Sequence, residues 1–131
     1  MKFNITTRSK RLLADTLTPV SIFLRIREQF PLSVILESAD YHAMHNSFSY
    51  IACDPIASFI LDNDEVTQNF PDGSSEKFKL TSRKDAVNAL QAFASRFSPS
   101  ENEHSFISNG LFGHITYDSV EYFEDIEIQE K

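Results

Sequence analysis

Five prolines constrain this 131-residue chain more than any other feature, because a helix or a strand rarely continues through proline. Thr18 can cap a helix with its hydroxyl, and Pro19 fits the first helical position, where no backbone N–H is needed. Apolar residues then recur at helical spacing as far as Phe30, and Pro31 ends the pattern. The first predicted element is therefore an amphipathic helix between two prolines.

Short apolar segments bounded by turn residues follow this helix and predict strands. The first of them is apolar until its end, as expected of a buried strand. Proline interrupts the second segment, and turn residues separate the later ones, which favours an antiparallel meander. The predicted strands are Ser33 to Ser38, Phe48 to Leu61 with a break at Asp54-Pro55, Glu65 to Phe70, and Glu76 to Leu80.

A second amphipathic helix follows these strands. Ser82 can cap it, with Asp85 near the capping-box position, and apolar residues continue at helical spacing to Phe97. After a polar loop, Gly110 to Asp118 predicts a further strand. Because helices and strands do not alternate regularly, we predict one α+β domain over residues 1–131, with a mostly antiparallel sheet flanked by two main helices.

Composition excludes several classes of partner. Acidic residues outnumber basic ones by 19 to 12, which gives a net charge of −7 and leaves no basic face for nucleic acid. No apolar run approaches the roughly 20 residues of a membrane span, and the first residues lack the apolar core of a secretory signal. The lone Cys53 cannot form an internal disulfide. We therefore expect a cytoplasmic protein that binds neither membrane nor nucleic acid.

Reactive and metal-binding side chains are sparse. His42 and His45 stand three apart, and Cys53, His104 and His114 could complete a metal site, but the pair lacks the glutamate of the H-E-x-x-H pattern. Cys53 within a strand is typical of a packed side chain rather than a nucleophile. Three glycines are too few for a phosphate-binding loop. We therefore predict no catalytic, cofactor-binding or metal-binding residue in this chain.

Glu37 and Ser38 form the polar end of an apolar strand, where we expect them to be buried. A buried carboxylate and hydroxyl are costly unless a partner satisfies them. A ligand with an ammonium group would be one such partner. The other possible partner is a basic residue near the N-terminus that forms an ion pair with Glu37. The sequence pattern alone does not decide between these two partners.

Four motifs occur in order along the chain: Asp15-Thr16-Leu17-Thr18-Pro19-Val20-Ser21, Ile35-Leu36-Glu37-Ser38, Ser49-Tyr50-Ile51-Ala52-Cys53-Asp54-Pro55, and Gly110 to Asp118 with Tyr122-Phe123-Glu124. Together they resemble the N-terminal region of anthranilate synthase component I across almost the whole chain. The family pattern is D-x-x-T-P-V-S, L-L-E-S, S-F-I-G-x-D-P, and G-G-L-x-G-Y-x-S-Y-D followed by R-Y-F-E. His114 and Glu121 depart from it, since the family usually has tyrosine and arginine there.

The resemblance implies a role within a longer enzyme. In the family a C-terminal domain, absent from these residues, carries the chorismate site, the Mg²⁺ ligands and the catalytic groups, so this segment alone is expected to be inactive. The complete protein would be a lyase of tryptophan biosynthesis that makes anthranilate and pyruvate from chorismate and ammonia, which a glutamine amidotransferase subunit supplies. The family's L-E-S strand helps to bind tryptophan, the feedback inhibitor, and that role transfers to Leu36, Glu37 and Ser38.

Two alternatives stay open beside this reading. The para-aminobenzoate synthase component has a similar N-terminal region, and the product of the complete protein would distinguish it. A stand-alone interaction module would instead have no chorismate-binding domain encoded after Lys131. The fold implied by the resemblance is an incomplete part of a larger chorismate-utilising enzyme.

Overall fold

The computed structural model describes residues 1–37, 48–100 and 109–124. The chain divides into two compact units: Ser9–Pro55, called the small unit, and Met1–Arg8 together with Ile56–Lys131, called the large unit. The described residues combine helices with mostly antiparallel strands, which confirms the α+β class. No helix among them is long and apolar enough to cross a bilayer.

Helix α1 (Pro19–Ile26) of the small unit begins where the sequence predicts. The Thr18 hydroxyl accepts a hydrogen bond from the Ser21 N–H at 3.1 Å, and the Thr18 N–H donates to the Ser21 hydroxyl at 3.1 Å. This reciprocal capping box stabilises the first turn. The helix ends at Ile26, and a turn over residues 27–29 replaces the predicted continuation to Phe30.

Strands β2 (Val34–Glu37) and β3 (Ser49–Ala52) form an antiparallel pair that contacts α1. Val34 lies opposite Ala52 at one end of the pair, and Glu37 lies opposite Ser49 at the other. Both strands fall within predicted segments, and β3 ends before the predicted break at Asp54-Pro55. The described part of the small unit is therefore a helix on a two-stranded sheet.

Three strands, β4 (Ser58–Asp62), β5 (Glu65–Asn69) and β6 (Ser75–Lys79), form the predicted antiparallel meander in the large unit. Asn63 and Asp64 connect β4 to β5 with φ of 49° and 63°, the left-handed conformations of a two-residue type I′ hairpin turn. In the second turn, the Asp72 carboxylate accepts a hydrogen bond from the Ser74 N–H at 2.9 Å. These local contacts fix the register of the meander.

Helix α2 (Asp85–Ala94) contacts β4 and supplies the centre of the core of the large unit. Phe93 is 1% exposed, and its ring centroid lies 5.6 Å from those of Phe59 and Phe70. Val66 on β5 is fully buried as well. The core is thus an aromatic cluster between one helix and one face of the meander.

The predicted end of the second helix is wrong. Helix α2 stops at Ala94, and Phe97–Pro99 forms strand β7, which pairs in parallel with β1 (Phe3–Ile5). Phe3 lies opposite Phe97, and their rings stack with centroids 5.6 Å apart. Because this pairing joins segments that are distant in sequence, no local pattern indicates it. The sequence analysis predicted neither strand.

The predicted strand from Gly110 to Asp118 is also wrong. Residues 110–116 form no strand, and a 3₁₀ helix spans Tyr117–Tyr122. The strands of the described residues belong to three small sheets, two antiparallel and one parallel, rather than to a single sheet. A β-type sequence becomes a strand only where a neighbouring strand offers hydrogen-bond partners, and residues 110–116 belong to none of the three sheets.

Candidate functional site

Strand β2 brings Leu36 and Glu37 to one end of the β2–β3 pair. Leu36 lies opposite Tyr50, and Glu37 lies opposite Ser49. Leu36 is 43% exposed, and Glu37 is exposed. Successive side chains of a strand point to opposite faces, so a ligand that contacts both must lie over the strand end. Ser38, the third residue of the predicted site, lies outside the described residues.

The expected burial of Glu37 is wrong. Glu37 is exposed because β2 ends there, and Ser49 opposite it is exposed too. The predicted alternative, an ion pair with a basic residue near the N-terminus, is not observed either: within the part of the chain that the structure describes, the ion pairs involve Glu65, Glu76 and Glu121. Glu37 is therefore a solvated carboxylate without an ionic partner among the described residues.

Polar residues of the first and third motifs have structural roles. Thr18 and Ser21 form the capping box of α1. Asp54 adopts a left-handed conformation, with φ of 52°, at the turn that follows β3. Local backbone geometry accounts for these residues, whereas it does not account for the carboxylate of Glu37.

Tyr122 of the fourth motif ties the 3₁₀ helix to the β4–β5 turn. Its hydroxyl donates to the Asp64 carboxylate at 3.0 Å and accepts from the Asp64 N–H at 3.3 Å. Partial burial, with the nearby Asp64 carboxylate as a smaller cause, raises the pKa of Tyr122 above its ordinary value of 10.0. The neighbouring Glu121 forms an ion pair with Arg83. Sequence reasoning missed both contacts, because no local pattern links such distant residues.

A cavity of about 340 Å³ opens at the other end of the β2–β3 pair. It is lined by Gln29, Phe30, Pro31, Leu32, Asp54 and Pro55. The lining residues adjoin Val34 and Ala52, which places the cavity roughly 10 Å along the strand from Glu37. Leu36 and Glu37 do not line this cavity, and both lie at the exposed end of β2.

The structure describes only some of the other candidate residues. His42, His45 and His104 lie outside the described residues. Cys53 is a half-buried free thiol, and His114 is exposed. Among the residues that the structure describes, no group of three His, Cys, Asp or Glu side chains is placed to hold a metal ion.

The chain is similar in sequence to a known enzyme. It is 28% identical over 127 residues to anthranilate synthase component 1 of Aquifex aeolicus (strain VF5), a match that covers 95% of this chain and 25% of that protein, in its N-terminal part. The chain thus spans about a quarter of the length of this relative. No family model and no solved structure matches the chain. The resemblance found from the four motifs is confirmed, while the fold of a larger chorismate-utilising enzyme stays a prediction.

Proposed function

We propose that this chain is the N-terminal part of a longer enzyme of the anthranilate synthase component 1 type. The match over 95% of the chain to such a protein supports this assignment. In the proposal the complete polypeptide is a cytoplasmic lyase that converts chorismate and ammonia into anthranilate and pyruvate. A glutamine amidotransferase subunit supplies the ammonia, and a C-terminal domain binds chorismate. The proposal assigns the Mg²⁺ ligands to that C-terminal domain, as the family resemblance implies.

Within this enzyme the segment regulates rather than catalyses. Leu36, Glu37 and Ser38 contribute to a pocket for tryptophan, the feedback inhibitor. The proposal is supported by the resemblance of Ile35-Leu36-Glu37-Ser38 to the family's L-L-E-S strand. The exposed position of Glu37 at the end of β2 leaves its carboxylate accessible to a ligand. An ammonium group is a suitable partner, since a charge-assisted hydrogen bond is roughly twice as strong as a neutral one.

The geometry of the strand end limits how such a ligand binds. Because Leu36 and Glu37 point to opposite faces, tryptophan would lie over the end of β2, with its ammonium group toward Glu37 and its indole toward Leu36. The open side of this position has to be closed by the C-terminal domain. The 131-residue segment alone therefore binds tryptophan weakly or not at all.

The proposal makes tryptophan and chorismate antagonists. If tryptophan favours an arrangement of the two domains that binds chorismate poorly, chorismate must weaken the binding of tryptophan by the same factor. A single substitution that weakens tryptophan binding should therefore relieve inhibition without changing the turnover of the uninhibited enzyme.

The test replaces Glu37 with glutamine in the complete polypeptide and measures anthranilate formation from chorismate and ammonia against tryptophan concentration. A charge-assisted hydrogen bond contributes about 1.5–3 kcal/mol, and glutamine keeps a neutral acceptor of roughly half that strength, so half-inhibition should require about 4- to 12-fold more tryptophan. Glu28→Gln is the matched control, because Glu28 is another exposed glutamate of the small unit. If tryptophan inhibits both variants equally, Glu37 does not contribute to the tryptophan pocket.

Two results would contradict the proposed function, and each would favour one of the alternatives. If the complete polypeptide forms para-aminobenzoate instead of anthranilate, it is the related synthase component. If the reading frame encodes no chorismate-binding domain after Lys131, the chain is an interaction module.

A further inference from the structure

Residues 1–8 contact the large unit in the way that an extended peptide contacts a binding groove. Strand β1 pairs in parallel with β7, and Phe3 lies opposite Phe97. The side chains alternate from position 2 to position 8, because the odd-numbered ones are half-buried and the even-numbered ones are exposed. Backbone pairing together with alternate buried side chains is how many proteins bind an extended peptide at a sheet edge.

Backbone hydrogen bonds hold this segment at both ends of β1. The Phe3 N–H donates to the Arg96 carbonyl at 2.7 Å, and the Ser100 N–H donates to the Ile5 carbonyl at 2.8 Å. Past the strand, the Thr7 N–H donates to the Ser100 hydroxyl at 3.2 Å. These bonds use the backbone of the segment, so they hold an extended chain whatever its side chains are.

Two side chains of the segment make contacts that depend on their identity. The Phe3 ring stacks on those of Phe70 and Phe97, with centroids 5.6 Å away and interplanar angles of 17° and 26°. The Thr7 hydroxyl accepts a hydrogen bond from the Asn109 side-chain amide at 2.8 Å and lies 3.1 Å from its carbonyl oxygen. The groove therefore selects an aromatic residue followed, four positions later, by a hydroxyl.

The connectivity of the chain makes residues 1–8 resemble a tethered ligand. The chain leaves the large unit after Arg8, forms the small unit over Ser9–Pro55, and returns to the large unit at Ile56. Strand β1 belongs neither to the meander nor to α2. Release of this segment from β7 would therefore break no hydrogen bond of the meander.

We infer that the groove along β7 is a strand-binding site, and that residues 1–8 fill it as a replaceable strand. The partner that fits the site in trans is a free extended peptide with the sequence of residues 1–8. The groove belongs to the large unit, and its assignment does not rest on the proposed function.

The tether limits the affinity that the groove must have. A short flexible linker gives an effective concentration on the order of 1 mM, and a longer connection gives less. Because residues 1–8 occupy the groove, their dissociation constant lies below this effective concentration. The free peptide should therefore bind with a dissociation constant below about 1 mM.

Peptide binding to a shortened polypeptide tests the site. The complete polypeptide is made to begin at Ser9, and a fluorescent peptide of residues 1–8 is titrated with it by anisotropy. A Phe3→Ala peptide should bind at least about 10-fold more weakly, because it loses two ring contacts. An Asn4→Ala peptide is the control, since Asn4 is exposed, and it should bind within about 2-fold of the unchanged peptide. Equal affinities of the three peptides, or no saturable binding to a folded polypeptide, would overturn the inference.

Hydrogen exchange of the intact polypeptide tests the same site if the shortened one does not fold. The amides of Phe3 and Ser100 should exchange faster than those of β5, because the strand is released while the meander stays folded. Free peptide at several millimolar should speed exchange of the Phe3 amide and leave the Ser100 amide protected, because the peptide supplies the carbonyl that Ile5 provided. If Phe3 and Ser100 exchange only together with β5, and the peptide changes neither rate, the strand is not replaceable.

Both experiments measure binding at the groove rather than enzyme activity. A polypeptide that forms anthranilate but takes no free peptide refutes the strand-binding site and leaves the proposed function intact. If the concentrated intact polypeptide forms dimers that the free peptide dissociates, the groove takes the strand of a second copy, which supports the site.

Discussion

Replacing Phe93 with alanine should remove most of the stability of the large unit. The Phe93 side chain is 1% exposed, and its ring centroid lies 5.6, 5.6 and 5.2 Å from those of Phe59, Phe70 and Phe97. Phe→Ala changes in protein cores cost about 3–5 kcal/mol, and three aromatic contacts place this one near the upper value. Domains are typically stable by about 5–15 kcal/mol, so little stability would remain in a unit with so small a core.

Urea unfolding monitored by circular dichroism measures this loss, and it suits a chain without tryptophan. With an m-value of about 2 kcal/mol per molar urea, a loss of 4 kcal/mol lowers the midpoint by roughly 2 M. Phe123→Ala is the control, because Phe123 is 52% exposed and should cost about 1 kcal/mol. Phe93→Leu, which leaves a smaller cavity, keeps the test measurable if the alanine variant does not fold. A midpoint for Phe93→Ala equal to that of Phe123→Ala would refute the placement of Phe93 at the centre of the core.

Two further predictions concern pH. The Arg96 guanidinium, which donates to the Glu76 carboxylate at 2.6 and 2.8 Å, holds the pKa of that carboxyl below its ordinary value of 4.5. This ion pair stabilises the fold above the unfolded-state pKa, and the stabilisation is lost as the pH falls through the folded-state pKa. The urea midpoint should therefore decrease below about pH 4.5, and Glu76→Gln should make that decrease shallower than in the control Glu65→Gln. The pKa of Tyr122 is raised above 10.0 in the folded state. The protonated Tyr122 hydroxyl therefore stabilises the fold fully below pH 10, and this stabilisation is lost as the pH rises through the folded-state pKa. Tyr122→Phe should lower the free energy of unfolding by about 0.5–1.5 kcal/mol at neutral pH, because the hydrogen bond to Asp64 is lost. In this variant the urea midpoint should also decrease less steeply above about pH 10. If the urea midpoint decreases as steeply as in the unmodified chain, Tyr122 is not the cause of the decrease.

Local sequence signals predicted the elements whose geometry is set locally. Thr18 and Pro19 located the start of α1 because a cap and a proline act within one turn. Turn residues separated β5 from β6 for the same reason, since Asp72 hydrogen-bonds to Ser74 only two positions away. The β1–β7 pairing could not be predicted in this way, because Phe3 and Phe97 share no local pattern.

The candidate site shows the limit of reasoning from polarity. Glu37 follows an apolar run, which suggested a buried carboxylate, but exposure depends on where strands end and on what covers them. Residues 110–116 show a related limit, since they have the composition of a strand but lie outside the strands of the described structure. The motifs indicated the correct relative. They did not indicate the exposure of Glu37, which depends on the three-dimensional structure around the end of β2.

The parallel pairing of β1 with β7 also sets an order of events during synthesis. Next to this pair, the Thr7 N–H donates to the Ser100 hydroxyl, 93 positions further along the chain. At about 5–20 residues per second, a ribosome takes roughly 5–20 s to translate that interval. The residues of β1 therefore leave the ribosome well before those of β7, and during that time their backbone is open to capture by chaperones or neighbouring nascent chains.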